Sequence, residues 1–232
     1  GTYNVKLQAI NNYGIDSIDQ VIEINEPISN FPMLEDFEEN TTHSFLSRII
    51  NIDNDISWDS IAVVGIDGTT TNTVMINNYS YNDRGQEDVL EFKDFNYSSL
   101  QNLDSAYFFF DIAYRQYNDS YSDSLKVEIS TDCGQTFSTI YYKGGDDISG
   151  GVDLTSSSWA PQTASDWITD SVNISAYSSN FVIIRLVNIC GYGQKLYLDN
   201  INVQAYGSYT AIKEIGQTHF DYTIKPNPAH DA

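Results

Sequence analysis

Basic residues are scarce in this sequence: 11 Lys plus Arg stand against 32 Asp plus Glu in 232 residues, a formal net charge of -21. Nucleic-acid binding displaces phosphate counterions with Lys and Arg, and so negative a surface repels DNA, RNA and anionic lipid. Those partners are excluded, whereas divalent cations and neutral polymers remain. Long apolar runs are missing too. None approaches the roughly 20 residues that cross a bilayer as a helix, so no membrane insertion is expected. Cysteine is nearly absent, with only Cys133 and Cys190, each beside a glycine. In a secreted chain such a pair reads as a disulfide; the other reading is two half-buried thiols on neighbouring strands. There is no CxxC, and His43, His219 and His230 are scattered, which argues against zinc. Neither His-Glu-x-x-His nor a Gly-x-Ser-x-Gly elbow occurs, and nothing singles out one glycosidase-like carboxylate pair among the acids. No catalytic residue is assigned, and the chain is read as non-enzymatic. An initiator Met and a leader are likewise lacking. The chain opens at Gly1 in what reads as mid-domain, so a piece of a longer secreted protein is expected.

What is present is a strand former's composition. Hydrophobic residues make up 41% and aromatics 13%, with 17 Tyr against two Met; this is enough to bury a core and typical of an extracellular β protein. Period-two patterning dominates. Tyr3-Asn4-Val5-Lys6-Leu7-Gln8-Ala9 alternates, turns at Asn11-Asn12-Tyr13-Gly14, and resumes in Asp19-Gln20-Val21-Ile22-Glu23-Ile24, a β-hairpin within residues 1–26. Pro27 and Pro32 bracket a linker over residues 27–33. Short apolar runs then recur between turns from 34 to 206, the spacing of a sandwich. Residues 106–114 are apolar on both faces, which predicts a strand covered on both sides. No sustained 3.6 periodicity appears, so helix should be scarce. Residues 144–158 read as a long loop, residues 207–221 as a second linker, and residues 222–232 as a final segment. The expected fold class is all-β: a jelly-roll β-sandwich with short flanking β segments.

Two groups of residues could carry function. Tyr79, Tyr81, Tyr117, Tyr121, Trp159 and Tyr192 lie in polar, loop-like surroundings, where flat rings stack on sugars while amides and carboxylates bond the hydroxyls. The competing reading is a ring packed on the sandwich with its hydroxyl at the surface. Trp58 and Trp167 are read as core. The acidic clusters Asp146-Asp147, Asp53-Asn54-Asp55 and Asn118-Asp119 read as solvated loops, with a second ion site as the alternative.

Three segments resemble known families of secreted Bacteroidetes proteins. Gly1-Thr2-Tyr3-Asn4-Val5-Lys6-Leu7 followed by Asn11-Asn12-Tyr13-Gly14 resembles the last strands of a PKD domain. Residues 34–206 resemble the MAM-like jelly-roll group called choice-of-anchor J. The landmarks are Leu34-Glu35-Asp36-Phe37-Glu38, Trp58, Glu87-Asp88-Val89-Leu90, Phe110-Asp111-Ile112-Ala113-Tyr114, the run from Leu125 to Gly134, Trp167, and Gly191-Tyr192-Gly193 leading to Leu198-Asp199-Asn200-Ile201. Pro226-Asn227-Pro228-Ala229 resembles the opening of a type IX secretion sorting domain.

These resemblances imply a secreted or cell-surface protein that meets the type IX machinery through its C-terminal signal. They also imply a structural calcium whose family-matching positions are Glu38 and Asp199, with Asp88 and the Asn77-Asn78 pair as additional ligands. The chemistry agrees, because calcium takes 6 to 8 hard oxygens and Asp199, between apolar Leu198 and Ile201, would be costly to bury unpaired. The solvated alternative is a turn-capping Asp199 and an exposed Glu38. Five Asp-Ser-apolar triplets, at Asp16, Asp59, Asp104, Asp123 and Asp170, resemble the O-glycosylation acceptor of such proteins or are edge-of-strand serines. The expected function is a calcium-stabilised module that binds glycan or a surface protein. The alternatives are an accessory region of a pappalysin/cytophagalysin-like metallopeptidase or a spacer of a surface adhesin.

Overall fold

The computed structural model describes residues 2–23, 27–38, 45–151, 154–178 and 181–209. The expected sorting segment 222–232 and the three histidines lie outside these residues. Strands β1 (Thr2–Asn11) and β2 (Gly14–Glu23) pair antiparallel as a sheet of their own. The turn closes because the Asn11 side-chain oxygen accepts the N–H groups of Tyr13, at 2.8 Å, and Gly14, at 3.1 Å, the Asx geometry that lets a short polar residue replace backbone bonds. One face of this hairpin presents Tyr3, Val5, Leu7 and, across the ladder, Ile18, all exposed.

The remaining strands are β3 (Met33–Glu35), β4 (Leu46–Asn51), β5 (Asp59–Val64), β6 (Thr70–Asn77), β7 (Glu87–Phe92), β8 (Leu100–Ala113), β9 (Ser124–Ser130), β10 (Ser138–Gly144), β11 (Trp167–Asn173), β12 (Ile183–Ile189) and β13 (Lys195–Tyr209). They form two antiparallel sheets. One runs β10-β9-β12-β7-β4; the other runs β11-β8-β13-β6-β5, with β3 added beside β13. The chain is an all-β jelly-roll β-sandwich. Its core interleaves Leu125, Val127, Ile184, Leu186 and Leu90 from the first sheet with Phe108, Phe110, Ile112, Leu196 and Ile76 from the second, all fully buried. Each such side chain contributes on the order of 1.5–3 kcal/mol.

Strand β13 changes parity midway. Leu196 and Leu198 face the core before a bulge at Asp199–Asn202, and Ile201 and Val203 face it afterwards. The extra residue is accommodated at Asn200, whose φ is 48°, as bulges require. Asp199 is thereby placed on the outer face of its sheet, opposite Asp111 of β8.

The outer face of residues 106–114 is covered at Ala113 by a second, smaller cluster, while Tyr107 and Phe109 on that face are half-buried and pack on each other. Ala113, Trp167, Tyr197 and Val63 pack outside the six-stranded sheet under Trp159 and Ala160. Trp58 and Trp167 are both buried, their indole N–H groups bonded to the carbonyls of Asp88 at 3.0 Å and Val64 at 2.7 Å. The stretch 27–33 differs from the linker expected of it: Ile28 bridges Phe95, and Ile28, Phe31 and Met33 pack on the core. Strand β13 runs on to Tyr209, past the expected end at residue 206. Within 144–158 lies a single helical turn, α1 (Asp146–Ser149).

Candidate functional site

The connections 78–86, 114–123 and 190–194 leave the sandwich at one end, where Asn77 pairs with Lys195 and Ile189 with Ser124. They bring four tyrosines into a run. Tyr79 meets Tyr117 at 6.2 Å between ring centroids, Tyr117 meets Tyr121 edge to face at 5.9 Å, and Tyr121 meets Tyr192 edge to face at 5.5 Å. The Arg84 guanidinium lies 5.4 Å over the Tyr121 ring and donates to the Ser120 carbonyl at 3.0 Å. Tyr121 and Tyr192 are 36% and 38% exposed.

The loop that presents Tyr192 is held from beneath by Asp123. This fully buried carboxylate accepts the N–H groups of Gly191 at 2.7 Å, Gly193 at 3.2 Å and Gln194 at 2.8 Å. Burial pushes its pKa up while the three amides pull against that, since hydrogen bonds to a carboxylate favour its charged form. Tyr192 sits at φ 60°, and a Cβ on Gly191 or Gly193 would collide with the Ser122 carbonyl or the Asp123 carboxylate. Buried Gln194 extends the scaffold, donating to the carbonyls of Thr155 at 2.9 Å and Ser157 at 2.6 Å.

Tyr81 and Trp159 stand apart from this run. Tyr81 is buried, its hydroxyl donating to Asp53 at 2.6 Å, because the loop after β4 covers it. Trp159 packs edge-on against Tyr197 at 6.0 Å, with the Arg115 guanidinium 5.0 Å over its ring. It serves the outer cluster rather than a platform.

A hollow of about 410 Å3 opens on the outer face of the six-stranded sheet, lined by Glu38, Asp67, Thr69, Thr71, Asp199 and Asn200 among others. Glu38 accepts the Asn72 N–H at 2.8 Å, the Asn72 amide at 2.9 Å and the Thr71 hydroxyl at 2.9 Å; these bonds hold its carboxyl below the usual range. Asp199 is 2% exposed. It accepts the Asn200 N–H at 2.8 Å and lies 3.3 Å from the Thr71 hydroxyl. That hydroxyl has one proton for two carboxylates. Burial pushes Asp199 up to about 7, and the charges of Asp111 and Asp36 add to the effect. Asp111, opposite, is itself bonded by the Asn200 amide at 2.8 Å and by the Thr169 hydroxyl.

Glu38 and Asp199 thus share one hollow, and the other expected calcium ligands do not join them. Asp88 belongs to β7 in the opposite sheet and faces the interior. Asn77 ends β6, six residues beyond Thr71, a distance of roughly 20 Å along an extended strand, where its amide reaches Ser80 at 3.3 Å. Asn78 pairs with Asn188. Among the described residues, no three His, Cys, Asp or Glu side chains form a ready metal centre. The expected disulfide is also corrected: both cysteines are free, Cys133 exposed and Cys190 buried. They leave the paired strands β9 and β12 at opposite ends, since Ser130 lies against Ile183 and Ser124 against Ile189. Burial pushes the Cys190 thiol up to about 12.

Sequence reasoning passes over Thr71, Asn72, Arg84, Asp123 and Gln194 as site residues. Each works through partners far along the chain; Asp123 is met in the sequence only as the start of an Asp-Ser-apolar triplet, and no local pattern marks the role that any of them plays here.

No family model matches the chain, and no curated protein does. Among solved structures it is similar to the K1 cleaved adhesin domain of Lys-gingipain from Porphyromonas gingivalis W83, with a TM-score of 0.50 and 15% identity over 77% of this chain and 100% of that one. The K2 cleaved adhesin domain of Lys-gingipain gives a TM-score of 0.47 and 19% identity, over 75% of this chain and 99% of that one. CBM27-1 of Caldicellulosiruptor saccharolyticus, solved with mannohexaose, gives 0.44 and 14%, over 76% and 98%. At these identities the first likeness speaks for the β-sandwich fold. Among the described residues no helix is long and apolar enough to cross a membrane.

Proposed function

We propose that this chain is a non-catalytic binding module of a secreted or cell-surface protein, that it takes a neutral glycan on its tyrosine run, and that calcium between Glu38 and Asp199 stiffens it. The observation that carries the glycan reading is the continuous run Tyr79, Tyr117, Tyr121 and Tyr192 at one end of the sandwich. Flat rings of this kind stack on sugar faces, and Arg84 supplies a donor beside them. A net charge of -21 favours a neutral polymer over an acidic one. A surface protein is the other partner such rings would suit.

The donor set of the hollow fits a hard divalent cation: two carboxylates, a hydroxyl and neighbouring amide oxygens, with Asp199 buried and under-answered. Glu38 and Asp199 would hold the ion beside Thr71, and the ion would neutralise the buried charge. We read the sandwich as MAM-like choice-of-anchor J, the hairpin as the end of a PKD-like domain, and Pro226-Asn227-Pro228-Ala229 as the start of a type IX sorting signal. The sequence landmarks support those finer readings, and the fold likeness to a cleaved adhesin domain is consistent with a surface role.

Affinity electrophoresis of the chain through gels containing neutral polysaccharides tests the glycan reading. At least one polysaccharide is expected to retard the wild type. Tyr121→Ala with Tyr192→Ala should weaken that retardation by about tenfold or more, the equivalent of ~1.4 kcal/mol. Tyr206→Ala, an exposed ring at the far end of β13, should leave it unchanged. A chain that no polysaccharide retards, or a double variant that binds as the wild type does, overturns the proposal.

A further inference from the structure

Asp88 of β7 is a buried carboxylate that its surroundings leave unanswered. It is 0% exposed, and neither carboxylate oxygen has a hydrogen-bond partner. Most of the polar groups around it are committed elsewhere. Its cross-strand neighbours are Asn188 on β12 and Asn51 on β4. Asn188 exchanges two hydrogen bonds with Asn78, at 2.8 and 3.0 Å. Asn51 donates to the Asp55 carbonyl at 3.0 Å and accepts the Asn54 N–H at 2.9 Å. The Trp58 indole bonds the backbone carbonyl of Asp88, not its side chain, and the Tyr81 hydroxyl goes to Asp53. The Ser57 and Tyr81 hydroxyls lie close enough to the carboxylate to draw its pKa down, yet neither meets it in hydrogen-bond geometry, and the Ser57 hydroxyl is itself buried and unpartnered. No ion pair among the described residues includes Asp88.

The loop above this carboxylate has the composition of a cation loop. Asp53, Asp55 and Ser57 alternate along it, and Asn54 between them takes the left-handed conformation at φ 59°. Alternate oxygen-bearing positions in a tight loop are how calcium loops turn successive ligands inward. Asp53 and Asp55 place two further negative charges close to the buried Asp88 carboxylate. Three acidic side chains gather here, one of them fully buried, and they favour a cation, since a buried charge persists only when paired or metal-bound.

We propose that Asp88 and the loop 53–57 form a divalent-cation site, separate from the hollow at Glu38 and Asp199, that takes calcium through the carboxylates of Asp88, Asp53 and Asp55 and the hydroxyl of Ser57. The acids do not converge on one point as they stand, because Asp53 is turned to the Tyr81 hydroxyl. Binding draws Asp53 off Tyr81 and ties the loop to the sheet. Calcium suits the site better than magnesium, because a loop that closes on its ion gives irregular, high-coordinate geometry and not a rigid octahedron.

The test uses the full chain carrying Asp199→Asn, which removes the buried carboxylate of the hollow, and titrates calcium by calorimetry. One calcium per chain is expected to bind this variant. Adding Asp88→Asn should weaken that binding by more than the roughly 10–100-fold that loss of an outer-shell partner costs. Asp53→Asn, at an exposed position where the amide oxygen still accepts the Tyr81 hydroxyl, should weaken it at least ~10-fold by the same measure. The same titration followed by Tb3+ luminescence, excited through Trp58, should lose its signal in parallel. The proposal fails if the Asp199→Asn chain binds no calcium, or if Asp88→Asn and Asp53→Asn leave the affinity unchanged. If instead Asp199→Asn removes no calcium equivalent from the wild type, the hollow is not a calcium site and the loop site stands alone.

Discussion

Asp123 is as deeply buried as Asp88 but fully answered, because three backbone N–H groups of residues 191–194 close on its two oxygens. Asp123→Ala strips the acceptor from three buried amides at once. At about 1–3 kcal/mol for each unsatisfied buried donor, urea unfolding should show a loss of at least ~3 kcal/mol. Asp123→Asn should recover only part of it, since its NH2 group turns a donor toward amides that need an acceptor. A loss below ~1 kcal/mol for the alanine variant would mean that water satisfies the loop and that Asp123 holds nothing in place. Sequence alone does not reveal this residue. Asp123 precedes an alternating strand as any turn residue would, and the amides it binds begin at Gly191. Tyr79, Tyr117, Tyr121 and Tyr192 are legible as aromatics in polar loops. Tyr81 has the same local surroundings, and only the distant loop that supplies Asp53 separates it from them.

Among the elements, the legible strands are those whose two faces differ or are both buried. Residues 106–114 are read from pattern as a buried strand, and the short apolar runs between 34 and 206 include Leu125 to Ser130 and Val89 to Phe92; all form ladder. Strands β4 and β11 escape because they are sheet edges with mostly polar, half-exposed residues, and their pairing comes from β7 and β8 rather than from their own sequence. The parity change at Asp199–Asn202 is equally hidden, since a bulge shifts the face of every later side chain without leaving a motif. The loop 190–194 joins element to function. Gly191 allows the backbone of this loop to pass against the Ser122 carbonyl. Gly191→Ala forces a backbone shift worth about 1–3 kcal/mol and tilts Tyr192 off Tyr121. Both the melting midpoint and the glycan retardation are expected to fall. Gly14→Ala, with nothing within 4 Å of the added carbon, serves as the matched control and should change neither. An unaltered melt for Gly191→Ala would show that the loop has room the structure denies it.

On the scale of the whole molecule, the excess of acid and the two raised carboxylates act in the same direction. Asp199, near 7, and Asp88, near 6, are shifted up from an ordinary value of 3.8, so the folded chain holds their protons more tightly than the unfolded chain does. Their contribution is therefore unfavourable above about pH 7 and is relieved as pH falls through those values. In chelator, the melting midpoint should rise as pH is lowered from 8 to 6. Self-repulsion of a -21 chain also weakens over that range, but it is screened by salt, whereas buried carboxylates are screened far less. A rise that persists in high salt belongs to the buried pair. Calcium at pH 8 should substitute for the protons: at a concentration 100 times its dissociation constant it adds about 2.7 kcal/mol per site, or roughly 5–10 °C for a domain of this size. Asp199→Asn and Asp88→Asn should each raise the midpoint in chelator at pH 8, flatten the pH slope, and remove their share of the calcium increment. A midpoint indifferent to calcium, or one that falls as pH drops from 8 to 6 in high salt, would mean that water already satisfies both carboxylates and that neither is held for an ion.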